Sequence, residues 1–166
     1  GMVLFGGGYY VKNVLLQPDL GYAASSTYKV EYFENPNAAG AYYINAATWD
    51  SLIHTGEFLD GVETHLQEAA DRGETESAEV LALGRESISN ALSATLPSDF
   101  SIPVTKATLQ EPAESVALAA AVEETMCNEF AETIAEIRLI KVLDHGNLAE
   151  AVVPDVRTLR AVILAA

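Results

Sequence analysis

The fold class predicted for this chain is α+β, mainly α: a Tyr-rich N-terminal β-hairpin or small antiparallel sheet packed on an antiparallel bundle of three to four helices. Three observations predict it. All seven tyrosines fall within the first 43 of the 166 residues. Apolar residues after Thr48 recur at helical spacing. Charge divides unevenly, with 3 acids and 2 bases in residues 1–49 against 10 acids and 2 bases in residues 50–96. These divisions mark a Tyr/Gly-rich β arm over 1–47 and an acidic helical bundle over 48–166, which together make one compact domain.

In the arm, Tyr28-Lys29-Val30-Glu31-Tyr32 alternates apolar and charged residues, the period of two that puts Tyr28, Val30 and Tyr32 on one face of a strand. Asn35-Pro36-Asn37 and Gly40 supply turn chemistry before a second aromatic run at Ala41–Asn45, which predicts a hairpin. Tyr9–Leu16 reads as a third strand, and Gly6–Gly8 as a flexible entry without the Lys-Ser/Thr of a phosphate loop. Tyrosine offers a large amphipathic surface at small entropic cost, so Tyr9, Tyr10, Tyr28, Tyr32, Tyr42 and Tyr43 are candidate interface residues.

The body reads as helices. Thr48 caps the first, whose Leu52, Leu59, Val62 and Leu66 keep one side until Gly73; Gly56 and Gly61 weaken it, so that it is either kinked over His54–Gly61 or begins only near Glu57. Thr75 caps a second that runs to Pro97, with Gly84 in its inner stripe permitting close approach of the neighbouring helix. A loop with Pro97 and Pro103 leads to Pro112, the first residue of a long third helix ending at Gly146 with Lys141 and His145 near its negative end. Asp155 caps a last helix that reaches the apolar Leu164-Ala165-Ala166.

The 24 Asp and Glu against 9 Lys and Arg leave a formal charge of −15, the wrong sign for a nucleic-acid ligand. Cys127 is the single cysteine, so no disulfide framework exists; within a helix and beside its core stripe, it reads as an inert thiol. Gly1-Met2 reads as a cleavage scar before the native start, with no secretory signal after it. No apolar run approaches the roughly 20 residues of a spanning helix, so no membrane role is expected and the localisation expected is cytoplasmic.

The sharpest motif is His54-x-x-Glu57 followed by His65-x-x-Glu68. On one continuous helix the four side chains share an arc of roughly 80°, beside the apolar stripe. Each pair can grip a divalent ion through imidazole and carboxylate, although the pairs start about 16 Å apart along the axis and cannot share one. Glu129, Glu132 and Glu136, at i, i+3 and i+7 of the third helix, are the candidate partners for the missing carboxylates. No Glu-x-x-His, no Gly-x-Ser-x-Gly and no other catalytic signature occurs, so no catalytic residue is assigned and no cofactor is expected beyond a divalent metal at this His/Glu set.

The leading functional expectation is therefore a non-catalytic, self-associating structural or protein-interaction module, a homo-oligomer. The alternative is a helical-bundle metal-binding protein using His54, Glu57, His65, Glu68, Glu129, Glu132 and Glu136. The second alternative is an acidic decoy that occupies a basic protein partner.

Overall fold

The computed structural model describes residues 21–33 and 44–152. Its central strand is β1 (Tyr22–Tyr32), where Ala24, Ser26, Tyr28 and Val30 alternate into the core, as the period of two predicts for the second half of this run. The sheet around β1 is larger than a hairpin. It contains β2 (Leu92–Thr95), β3 (Val104–Leu109), β4 (Ile137–Asp144) and β5 (Ala149–Ala151), in the order β2-β3-β1-β4 with β5 also on β1, all antiparallel. The expected mainly helical bundle with a small hairpin is thus corrected to a five-stranded antiparallel sheet covered by helices.

Both edges of β1 are taken. On one side β3 pairs with Tyr22–Thr27, and the ladder is extended by Tyr28 N–H to Pro103 O (3.0 Å) and Val30 N–H to Ser101 O (2.8 Å). On the other side β5 and β4 follow one another along β1. The strand expected at Tyr9–Leu16, the turn and aromatic run completing the hairpin up to Tyr43, and the helix after Asp155 lie outside the described residues.

The sheet takes its extra strands from segments expected to be loop or helix. The long third helix stops at Thr133. From Ile137 to Asp144 the chain is β4, because Ile, Val and Leu here sit among charged residues and pack on β1 with Ile140 opposite Val30. His145 accordingly lies in the loop after β4 and not at a helix end. The second helix is likewise divided into α3 (Thr75–Ala82) and α4 (Arg85–Asn90), and its end is β2, where Leu92 and Ala94 are buried and Ser93 and Thr95 exposed. The break is at Gly84, whose φ of 92° is incompatible with a helix interior; it ends a helix where close helical contact was expected.

The first helix is also two. Asn45 caps α1 (Ala46–Leu52) by accepting from Thr48 N–H at 2.8 Å, and Thr55 caps α2 (Gly56–Asp71) by accepting from Phe58 N–H at 3.2 Å. Gly56 therefore opens a helix, outside any interior. The third-helix region is α5 (Pro112–Glu124), with Pro112 in its first turn as expected, followed by a π-helical turn (Thr125–Phe130) and a last short helical turn (Ala131–Thr133).

α5 lies between β1 and β3 on one side and α2 and α3 on the other, which explains why Leu118, Ala119, Ala121 and Val122 are all buried around its circumference. Beyond it, Trp49 and Phe58 meet Phe130 at ring-centroid distances of 6.4 and 5.0 Å, the latter edge-on. Among the described residues no helix is long and apolar enough to cross a membrane.

A candidate histidine–carboxylate cation site

The side chains that come together are His65 and Glu68 of α2, Glu124 at the end of α5, and Glu129 of the π turn. His65 and Glu68 share a face because residues three apart on a helix are neighbours, and the His65 Nδ1 to Glu68 Oε1 distance is 3.1 Å. Glu124 comes from the helix packed alongside, its Oε2 at 2.8 Å from the same nitrogen. Glu129 Oε1 meets the other nitrogen, Nε2, in a close contact.

The approach of Glu129 depends on two features of the backbone. In an α-helix the extra residue of the π turn would be absent, and the side chains beyond it would point elsewhere by about 100°. Thr125, at the start of that turn, returns its hydroxyl to Ala121 O at 2.8 Å. Opposite it stands Gly61, buried on α2, where an added Cβ would lie 2.8 Å from Thr125 Cγ2 and overlap the Glu129 carboxylate. Gly61 thus makes room for the site.

The imidazole is enclosed while the acids reach water: the side chain of His65 is 11% exposed, against 57%, 49% and 45% for Glu68, Glu124 and Glu129. Burial works against charge on the ring, but the bond to Glu129, the charges of Glu129 and Glu124 and the bond to Glu68 outweigh it and hold the imidazolium above its usual value. With a cation present the chemistry changes. Glu129 on Nε2–H fixes one tautomer, so the Nδ1 lone pair faces the ligand atoms of Glu68 and Glu124, all three lying within 4.8 Å of one another.

Of the seven residues expected at a metal site, His65, Glu68 and Glu129 are brought together. His54 sits in the turn between α1 and α2, because the helix is not continuous. Its Nδ1 lies 2.6 Å from Asp50 O, and its Nε2 lies 3.0 Å from both Ser89 O and Leu92 O, so it ties α1 to the α4–β2 junction. Glu57 is exposed in the first turn of α2. Glu132 is exposed in the last helical turn, and Glu136 lies past its end, where its carbonyl accepts from Phe33 N–H at 2.9 Å. The i, i+3, i+7 flank expected for Glu129, Glu132 and Glu136 does not form, since the helix ends before its third member.

Glu124 was absent from the expected set although it stands five residues before Glu129; only the π turn brings the two onto one imidazole. Of the tyrosines expected at an interface, Tyr28 is fully buried in its own core and Tyr32 packs against that core, while Tyr9, Tyr10, Tyr42 and Tyr43 lie outside the described residues. Cys127 is half-buried, and burial first, then the Glu123 charge, pushes its thiol up, away from the thiolate a nucleophile needs. Comparison of the chain with family models, curated proteins and solved structures gives no match.

Proposed function

We propose that this protein binds a first-row divalent cation between α2 and α5, with Nδ1 of His65 and the carboxylates of Glu68 and Glu124 as ligands and Glu129 orienting the ring from behind. The observation that carries the reading is the pair of carboxylates on one nitrogen of an enclosed imidazole whose other nitrogen is held by a third. One nitrogen and two carboxylate donors suit zinc, manganese or iron(II) and leave coordination positions for water.

Calorimetry of the full chain with Zn²⁺ and with Mn²⁺ tests the reading. One equivalent of at least one ion binds, and His65→Ala and Glu124→Gln each lower the affinity tenfold or more, the range found when a ligand or its orienting partner is lost. Affinity unchanged in both variants, or no binding by the intact chain, refutes it and leaves the cluster as an imidazolium ringed by acids.

Self-association is the second reading, supported by the outer face of the sheet. Lys29 and Lys141 are cross-strand partners there, Lys106 stands on β3, and Leu139 and Leu143 are 38% and 52% exposed. In a chain of net charge −15, a lysine-bearing face suits the acidic helices of a second copy. Light scattering at low and high salt tests it: an oligomer that dissociates as salt rises supports this packing, and a monomer at every salt concentration removes it.

A further inference from the structure

On the sheet side of α5 a second histidine is held by a buried carboxylate, and nothing in the cation site uses it. β4 and β5 run in the same direction along one edge of β1. Asp144 is opposite Thr27 and Ala149 opposite Ala24, so residues 145–148 of the edge face Ser25 and Ser26 alone. The surplus is pushed out of the ladder. Gly146 is pressed inward, where an added Cβ would lie 2.8 Å from Ser26 Oγ, 2.9 Å from Ala119 Cβ and 3.2 Å from Ser25 O.

The backbone N–H that the ladder forgoes donates instead to a side chain: Gly146 N–H bonds Glu123 Oε2 at 2.7 Å. The Ser26 hydroxyl donates to the same oxygen at 2.6 Å, and His145 Nδ1–H to Oε1 at 2.6 Å. A carboxylate accepts only, so Nδ1 is the protonated nitrogen of this pair. Glu123 is 8% exposed and gripped from β1, from the loop and by the imidazole, whereas the side chain of His145 is 65% exposed. Among the described residues Nε2 makes no hydrogen bond. A buried acid that fixes Nδ1–H and leaves Nε2 open is the arrangement that presents imidazole as a base.

His145 lines a cleft of about 530 Å³ with Ser25, Lys106, Asp144, Leu148 and Glu150. Among the described residues Lys106 is its one ammonium, alongside the carboxylates of Asp144 and Glu150. From these placements we propose that the cleft is a hydrolytic site for small esters bearing an anionic group, with His145 as the catalytic base, Glu123 as its positioning residue and Lys106 receiving the anion. Nε2 takes a proton from water as the water oxygen bonds to the ester carbonyl carbon. The bond from that carbon to the alcohol oxygen then breaks, and the imidazolium returns the proton to the leaving alkoxide, giving acid and alcohol with no other reactant.

The full chain is assayed with p-nitrophenyl benzoate and with p-nitrophenyl 4-sulfobenzoate, whose para anion cannot reach its own ester carbonyl, each rate taken above the ester's own hydrolysis in buffer. The expected result is p-nitrophenolate release at least tenfold faster than by an equal concentration of free imidazole, by a larger ratio for the sulfonated ester, and at least tenfold slower in His145→Gln. His145 is an exposed side chain, so that variant keeps the fold. Lys106→Gln removes the preference for the sulfonated ester. Glu123→Gln is read by long-range ¹H–¹⁵N NMR: His145 protonated on Nδ1 in the intact chain becomes predominantly Nε2-protonated in the variant, a change that loss of packing elsewhere does not produce. A rate no greater than that of imidazole, or one unchanged in His145→Gln, overturns the proposal; so does an Nε2-protonated His145 in the intact chain.

Discussion

Glu123 and Glu124 are consecutive on α5, and their carboxylates part to opposite neighbours: Glu123 bonds Ser26 of β1 and the loop after β4, while Glu124 reaches His65 of α2. Successive helical side chains diverge by about 100°, so a helix packed between a sheet and a second helical layer can deliver one acid to each. The buried member is satisfied by three donors and the exposed one by an imidazole shared with two other acids. Any movement of α5 along its axis therefore disturbs both histidines together, and the sequence on either side of the pair, Ala121-Val122 and Thr125-Met126, is buried and resists such movement.

Gly61→Ala separates helix propensity from the room that the site requires. In an exposed helix interior the change stabilises by about 1 kcal/mol. Here the new methyl meets Thr125 and Glu129 at closer than van der Waals distance, and the overpacking destabilises by about 1–3 kcal/mol. A lowered urea midpoint together with weakened Zn²⁺ or Mn²⁺ binding is the expected outcome. A midpoint raised by the substitution would mean that Glu129 swings away freely and that Gly61 has no part in placing it.

Without metal, the cluster around His65 makes stability fall as pH rises. The folded imidazole holds its proton above the ordinary value, so below about pH 6.5 both folded and unfolded chains are protonated and the imidazolium contributes in full. As pH climbs through the higher folded-state value, the proton leaves, and with it the attraction of Glu129, Glu124 and Glu68. Urea midpoints measured with chelator from pH 5.5 to 8.5 decline in the intact chain, and the decline flattens in His65→Gln. Metal binding has the opposite slope, because the ion must displace the Nδ1 proton, so affinity for Zn²⁺ rises across the same window.

The alternation at Tyr28–Tyr32, the proline opening α5 and the His65/Glu68 pair were legible because each is a local pattern. What was hidden depends on partners distant in sequence. Ile137-Arg138-Leu139-Ile140-Lys141 fits a helical stripe as readily as a strand when read alone, and only β1 decides between them. Between Pro103 and Pro112 the β-branched Val104, Thr105 and Thr108 carry a strand preference, but in a run too short to be separated from a loop without its partners. Glu123 directly follows Val122 and is buried although it lies beside the expected stripe; an acid next to core positions is a sign of a buried partner, yet nothing local names His145 as that partner. The π turn that unites Glu124 with Glu129 has no periodicity of its own to read.

Gly146→Ala tests whether the displaced loop is fixed by packing. The substitution drives a methyl into Ser26, Ala119 and the Ser25 carbonyl, and is expected to destabilise the fold by about 1–3 kcal/mol while moving Gly146 N–H off Glu123. Thermal unfolding records the first effect. The second appears as faster amide exchange at residue 146 than at Ile140, which is paired within β4 in both proteins. Exchange at residue 146 unaltered by the substitution would show that the carboxylate does not protect that amide.

Tyr28→Phe probes the buried polar seam behind the same carboxylate. The Tyr28 hydroxyl and Thr105 Oγ1 are 2.9 Å apart and both buried, so deleting one leaves the other without its partner and destabilises by about 1–3 kcal/mol. The double variant Tyr28→Phe, Thr105→Val removes both polar atoms and recovers part of that loss, a non-additivity that a cycle of urea midpoints measures directly. Burial, outweighing the bonds to Thr105 and Ser26 and reinforced by the Glu123 charge, pushes the Tyr28 phenol far above its usual range. The unfolded chain therefore releases this proton near pH 10 while the folded one keeps it, so stability falls as pH rises beyond that point. In Tyr28→Phe this part of the alkaline decline is absent. An equal alkaline decline in both proteins would place its origin outside the seam.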